Sequence, residues 1–285
     1  MKEYSKSKLN RVKRGQIRAT YDVEKINTIL DAGFLCYVGY IYDGKPITIP
    51  MAYTRKDNKV YIHGSTANRM LLAILESEKT SITVTHLDGL VLARSGLHHS
   101  VNYRSATLFG SLKKIENDAE KTEILGLIVN QMVPNHWNSL RPMYQKELDR
   151  TLVVEFTIET ASAKIRDIGV ADEPEDYQLP IWAGIVPIKQ VAEYPIADEG
   201  LPQKMEMQKY MDISTAWLDS VRSLSTAWRT RKKVSFTREL TLNINLSKRT
   251  PTDNIRHNHT ADITGYCSVK HVYTLYRESS DINPV

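Results

Sequence analysis

The chain has 285 residues, 41% of them hydrophobic, which is enough to bury one large core or two small ones. Its longest apolar runs, such as "LLAIL" at 71–75, fall far short of a membrane span, and Cys36 and Cys267 without a Cys-x-x-Cys exclude a thiolate zinc site and a disulfide framework. The formal charge of +5 is uneven: residues 1–18 carry seven Lys or Arg against one Glu and residues 201–285 carry thirteen basic against eight acidic, so the middle is net negative. A basic surplus confined to the two ends reads as solvated tails and argues against a nucleic-acid surface on the core.

The opening "MKEYSKSKLNRVKRGQIR" is a basic arm over 1–18; a mitochondrial presequence is the other reading, but its apolar residues are too few for an amphipathic face. "YDVEKINTILDAGF" predicts a short helix with Asp22 as N-cap, Val23, Ile26 and Leu30 on one face and Gly33 as its stop. "FLCYVGYI" and "PITIPMAY" then read as strands joined at Asp43-Gly44 into a hairpin. "VYIH" predicts a third strand, and "ANRMLLAILESEK" a helix placing Met70, Leu71, Ile74 and Leu75 at core spacing. "TSITVTH" alternates as a strand, Asp88-Gly89 reads as a turn, and "GLVLAR" and "NYRSATLFGSLKKI" continue in strand.

Residues 118–133 place Ile124, Leu127, Ile128 and Met132 on one helical face, stopping at Val133 before Pro134. "RTLVVEFTIETASAKIR" is a further long strand, and "IWAGIVPI" is expected as a last core strand after an acidic, Pro-punctuated loop. Five or six strands with short turns and helices at the start, middle and end predict a mainly β fold, a small antiparallel barrel with helices outside. The domain reading is 1–18 arm, 19–200 barrel, and 201–285 a C-terminal extension with a helix-like stretch at 204–228 and a strand-like stretch at 234–246. With no leader and no span, the expected compartment is the cytoplasm.

One stretch carries the chemistry. In "YIHGSTANRM", a strand ends in His63, Gly64, Ser65 and Thr66 and turns into a helix with Arg69 in its first turn. Unpaired N–H groups at a helix start, two hydroxyls and a guanidinium together form a place for a phosphate, although Ser and Thr there are equally ordinary N-caps.

From Thr48 to Met70 the chain resembles the flavin-mononucleotide-binding segment of the pyridoxamine 5′-phosphate oxidase family. "TIPMAY" falls on a strand reading Arg-x-Val-Leu-Leu-Lys, "GSTANRM" on Thr-Asn-x-x-Ser-Arg-Lys, and "YRSATLFG" on Arg-Gln-Val-x-x-x-Gly. The phrases "ILDAGFLCYVGYIYDGKPITIPMAY", "YIHGSTANRMLLAIL", "THLDGLVLARSGLHHSVNYRSATLFG" and "IWAGIVPI" are similar to the flavin-nucleotide-binding, nitroimidazole-resistance-like branch of that superfamily. The resemblance implies a six-stranded, Greek-key-type FMN-binding split barrel that forms a homodimer with FMN between subunits. It implies cofactor contacts at Thr48, Ile49, Pro50, Met51, Tyr53, His63, Gly64, Ser65, Thr66, Arg69 and Ser105. The implied activity is a flavin-dependent oxidoreductase on a small molecule, with a nicotinamide as candidate electron donor. The alternative is a flavin-binding or storage protein without turnover.

The sequence departs from the family at Thr48, Tyr53 and Met70, where the family carries Arg, Lys and Lys, and its vitamin B6 oxidase segments at the C-terminus have no counterpart. A pyridoxamine 5′-phosphate oxidase activity is therefore the least favoured of these readings. His63 falls on a ring-contacting position and is the catalytic candidate, as an imidazole that orients substrate or stabilises charge on reduced flavin. A carbonyl-bonded structural histidine is the plain alternative. His98 and His99, in a loop before a strand, are adjacent and make a poor metal pair because neighbours on a strand face opposite ways; His86 lacks supporting ligand spacing, and the tail pair His257 and His259 sits in polar loop, so no metal is expected.

Overall fold

Asp43 and Gly44 both hold left-handed backbone, at φ 49° and 68°. That geometry matches the twist of a two-residue hairpin, and it joins β2 (Leu35–Tyr42) to β3 (Lys45–Lys56), with Tyr42 opposite Lys45. The computed structural model describes residues 2–192 and 196–201. Among them the remaining elements are β1 (Ala19–Thr20), α1 (Val23–Asp31), β4 (Lys59–Ser65), α2 (Arg69–Ser77), β5 (Thr80–Leu92), β6 (Ser100–Ile115), α3 (Asp118–Met132), α4 (Gln145–Asp149), β7 (Thr151–Arg166) and β8 (Gly184–Pro187). The expected helix at 204–228, the strand at 234–246 and the pair His257 and His259 lie outside the described residues.

The strands are antiparallel in the order β7-β4-β3-β2-β5-β6, and β6 pairs back with β7. Six strands thus close a barrel, as the alternation predicts, with β1 added to β7 and β8 to β5. Inward residues such as Val38, Ile62, Val84, Leu108, Val154 and Phe156 fill it, together with Met70, Leu71 and Ile74 of α2. A second cluster lies outside the barrel, where Ile124, Leu125 and Ile128 of α3 and Leu148 of α4 cover Tyr61, Ile115 and Val153. Leu125, not Leu127, completes the buried face of α3.

Closure depends on Gly110. At the irregularity where β6 steps past β7, a Cβ on Gly110 would lie 1.8 Å from the Thr157 carbonyl oxygen, so no other residue fits. The C-terminal end of α1 is tied down from the strands. Its last carbonyls have no partner inside the helix, and the Tyr53 hydroxyl donates to Leu30 O while His86 Nε2 donates to Ile29 O at 2.9 Å.

Three expectations change in three dimensions. Asp88-Gly89 is no turn: β5 runs through it with a shifted register, and Asp88 accepts both Nε (2.9 Å) and Nη2 (2.8 Å) of Arg104. "GIVP" is no core strand, because β8 pairs only with the far part of β5 and three of its four residues are exposed. Trp182 just before it is exposed too.

The basic arm is not a solvated tail either. Tyr4 N donates to Tyr21 O and Val23 N to Lys2 O, and Val12 N reaches the Tyr21 hydroxyl. Asn10, 2% exposed, is buried against β7 and reaches the Thr160 hydroxyl (2.5 Å) and the Ala161 carbonyl (3.1 Å). Among the described residues no helix is long and apolar enough to cross a membrane.

Candidate functional site

β3 pairs with β4 only from Tyr53 to Lys56; towards Lys45 it continues with β2 alone, while β4 continues to Ser65 with β7 alone. The two strands part, and the candidate residues line the two lips of that split. On the β3 lip the pleat turns Thr48 and Pro50 to the exposed outer face and Ile47, Ile49 and Met51 towards the core. Gly39, paired with Thr48, leaves the outer face bare: a Cβ there would come within 3.0 Å of Ser81 Oγ and 3.9 Å of Thr48 Oγ1.

On the β4 lip, Ser65, Thr66 and Arg69 are exposed. The N-cap of α2 is Asn68, whose side chain accepts from Leu71 N at 3.1 Å, rather than Ser65 or Thr66. The two hydroxyls are therefore not consumed in capping the helix. Gly64 sits in a tight place: a Cβ would come within 3.1 Å of both Asn68 Nδ2 and Leu71 Cδ1. Arg69 is the first residue of a helix whose first turn carries no acidic residue. A cation there opposes the positive end of the helix dipole, which favours anions. Its guanidinium makes no ion pair among the described residues and stacks on the Tyr42 ring, 4.5 Å from the centroid. The site offers positive potential, hydroxyl donors and helix-start N–H groups to an incoming phosphate, with no acidic residue in the first turn of α2.

His63 sits on β4 opposite Val153, half-buried. Its Nδ1 is buried without a hydrogen-bond partner, and burial holds its pKa below the ordinary histidine value. Burial therefore favours its neutral imidazole form. The structural alternative, a carbonyl-bonded histidine, belongs instead to His86 (through Ile29 O) and to His99, whose Nδ1 meets Ser95 O at 3.0 Å.

Two expected contacts are not gathered with the rest. Tyr53 is fully buried with its hydroxyl committed to α1, so its side chain belongs to the core. Ser105 lies on β6, three strands from β3 across β2 and β5, with its Oγ 3.0 Å from Thr85 Oγ1. At one strand spacing of about 4.8 Å per step, that is on the order of 14 Å along the sheet.

His98 lies 3.9 Å from Asp172 and, with Asp176, forms the group of side chains among the described residues whose spacing could hold a metal ion. Arg94 takes up that carboxylate: its Nη1 donates to Asp172 at 2.9 Å and its backbone N at 3.1 Å. Burial would raise the Asp172 pKa, but the Arg94 bonds overcome it and hold the group below its ordinary value. This is a latch between two loops. Sequence reasoning missed it because Arg94 and Asp172 are far apart in the chain.

Residues 22–165 match the family described as pyridoxamine 5′-phosphate oxidase. Among solved structures, the flavocytochrome Anf3 from Azotobacter vinelandii is 38% identical, with 72% of this chain and 95% of that one covered at a TM-score of 0.68. The FAD and heme binding protein from Mycobacterium smegmatis is 30% identical, with 69% of this chain and 97% of that one covered at a TM-score of 0.65. No curated protein matches. The split six-stranded barrel and the matched segment together make this chain a member of the pyridoxamine 5′-phosphate oxidase family.

Proposed function

We propose that the chain is a flavoprotein that holds FMN at the split between β3 and β4, with the phosphate on Arg69, Ser65, Thr66 and the start of α2. The observation that carries this reading is Arg69, without an ion pair among the described residues, at the N-terminus of a helix, beside hydroxyls that Asn68 relieves of capping it. The relatives named as a flavocytochrome and as an FAD and heme binding protein support it. The bound flavin supplies reversible electron transfer, and the protein holds the phosphate, presents the ring and shields it. The activity proposed is that of an oxidoreductase on a small molecule, with a nicotinamide as candidate donor.

A homodimer is part of the reading. Phe34, Leu35, Tyr37, Ile41 and Leu87 are exposed side by side on β2, its entry and the neighbouring β5, an apolar face of the kind that marks a contact surface. A two-fold contact would cover it.

A second reading adds a haem. Both named relatives carry one by description, and His63 fits the iron: a neutral imidazole with no hydrogen-bond partner on either ring nitrogen among the described residues. The test is the visible spectrum of the purified chain with the released chromophores identified by mass. A flavin band with the mass of FMN is expected, and FAD would correct the nucleotide. A Soret band lost in His63→Ala supports the haem. A colourless protein that takes up neither added flavin nor haemin refutes the whole reading, and faster reduction of bound than of free flavin by NADH or NADPH separates turnover from storage.

A further inference from the structure

The basic arm fills a gap at the edge of the barrel. β4 leaves the edge of β7 after Thr157, and β1 takes that edge up only at Ala163 and Lys164. Between them Asn10 Nδ2 donates to the Ala161 carbonyl at 3.1 Å. Asn10 also closes a turn, in which Ser7 N donates to its Oδ1 at 2.7 Å and Arg11 N to Ser7 O at 3.1 Å. Val12 N then donates to the Tyr21 hydroxyl at 2.9 Å. A second turn, Gln16–Arg18, is entered through Gly15 in left-handed backbone (φ 69°) and leads into β1, where Ala19 pairs with Lys164. The two turns are therefore seated on one short stretch of β7, from Ala161 to Lys164, on the order of 10 Å long.

Each turn presents one aliphatic side chain to water: Leu9 is 69% exposed and Ile17 96%. Lys8, Arg11, Lys13 and Arg14 around them are exposed as well, and none makes an ion pair among the described residues. Over residues 1–18 seven Lys or Arg stand against Glu3 alone. The fold explains neither feature, since the core uses neither the two aliphatic groups nor the four charges. The rings of this region are not free to stack on a base: Tyr4 packs against the core, and Tyr21, 8% exposed, lies under the Lys6 ammonium. A nucleic acid would meet the charges and leave Leu9 and Ile17 in water. At the boundary of an anionic bilayer both are satisfied, because the aliphatic groups leave water while the cations meet headgroup phosphates.

We propose that the docked arm is a peripheral contact for an anionic lipid surface, in which Leu9 and Ile17 enter the headgroup boundary and Lys8, Lys13 and Arg14 hold anionic headgroups. The bonds that seat the arm on β7 hold both turns in place before contact, so binding does not have to order them. The contact is reversible: two short aliphatic side chains bury less than a single acyl chain, which by itself anchors a protein only marginally.

The test is co-sedimentation of the full chain with vesicles of phosphatidylcholine alone and of phosphatidylcholine with phosphatidylglycerol, at low and at high salt. Binding is expected with phosphatidylglycerol at low salt and should fall as salt rises. Lys13→Gln with Arg14→Gln should weaken it roughly tenfold or more and flatten its salt dependence. Leu9→Ser with Ile17→Ser should weaken it by a similar factor and leave the salt dependence as it is, because no charge is lost. All four side chains are exposed, and circular dichroism checks that both double variants fold. No binding to phosphatidylglycerol vesicles, equal binding to phosphatidylcholine alone, or unchanged binding in either double variant would overturn the proposal. Unchanged binding in both would move the contact to another basic stretch, such as residues 201–285. Duplex DNA bound more tightly than vesicles at equal phosphate would reassign the arm to nucleic acid. The readout is protein in the pellet, so none of these outcomes depends on whether the chain is a flavoprotein.

Discussion

Replacing Arg69 by Ala isolates the phosphate grip from the fold. In the folded chain Arg69 loses only its exposed stacking on Tyr42, worth roughly 0.5–1 kcal/mol, while removing a cation from a helix N-terminus returns roughly 0.3–1 kcal/mol. The two nearly cancel, so the melting temperature should stay close to that of the parent. Binding behaves differently. A hydrogen bond to a charged group is worth about 1.5–3 kcal/mol, so FMN affinity should fall roughly 10- to 150-fold. Riboflavin has the same ring and no phosphate, and its affinity should not change. Quenching of flavin fluorescence on titration reads both ligands under one set of conditions. Equal losses for FMN and riboflavin would place Arg69 in the ring site or the fold, and unchanged FMN affinity would remove the phosphate from the start of α2 altogether.

Burial lowers the pKa of both His63 and His86 in the folded chain, so below the unfolded value of about 6.5 the unfolded chain binds more protons and stability falls as pH drops. The urea midpoint should decline between pH 7 and 5, and less so in His63→Gln and His86→Gln; a parallel decline in both variants would mean that other groups set it. Arg94→Ala removes the guanidinium from the Asp172 carboxylate and leaves it the Arg94 N–H, so stability should fall, while Arg94→Ala with Asp172→Ala should recover part of the loss in chemical denaturation. Asn10→Ala removes the bonds that seat the arm on β7 and should cost about 1–3 kcal/mol and open residues 11–18 to proteolysis. For the same reason a chain beginning at residue 19 should be measurably less stable than the parent.

The parts legible in advance are those whose cause is local. Asp43-Gly44 needs left-handed backbone wherever it occurs, Asp22 caps α1 through Lys25 N at 2.9 Å, and alternation marks the strands without knowledge of their partners. What was not legible depends on pairing. Ser65 looks like a cap, but β4 stays extended against Thr151 of β7, so the chain turns only at Asn68. Asp88-Gly89 looks like a turn, but Arg104 across β6 holds the strand through it. The arm shows a charge surplus and little else, while its attachment includes an asparagine meeting a strand 150 residues away. The proposed phosphate site shares this division: Arg69 stands out by type and position, whereas the distance of Ser105 from it follows only from the strand order.

The same division explains how the site differs from the charged pattern it resembles. At Tyr53 and Met70 the family carries lysines, and both positions here are core: Tyr53 is fully buried and bonded to α1, and Met70 is 2% exposed on the buried face of α2. A lysine at either position would carry an ammonium into the apolar core cluster, which is more costly than the hydrogen bond it could offer a phosphate. The charges therefore cannot be restored one at a time. Loss of both lysines is coupled to the packing of α1 and α2 onto the barrel, and Thr48, the third departure, is the exposed one of the three. A phosphate grip in this chain must then rest on one guanidinium, hydroxyls and helix-start N–H groups. Such a grip carries fewer charges for salt to screen, so ligand affinity at this site should depend less on ionic strength than at a site built from three cations.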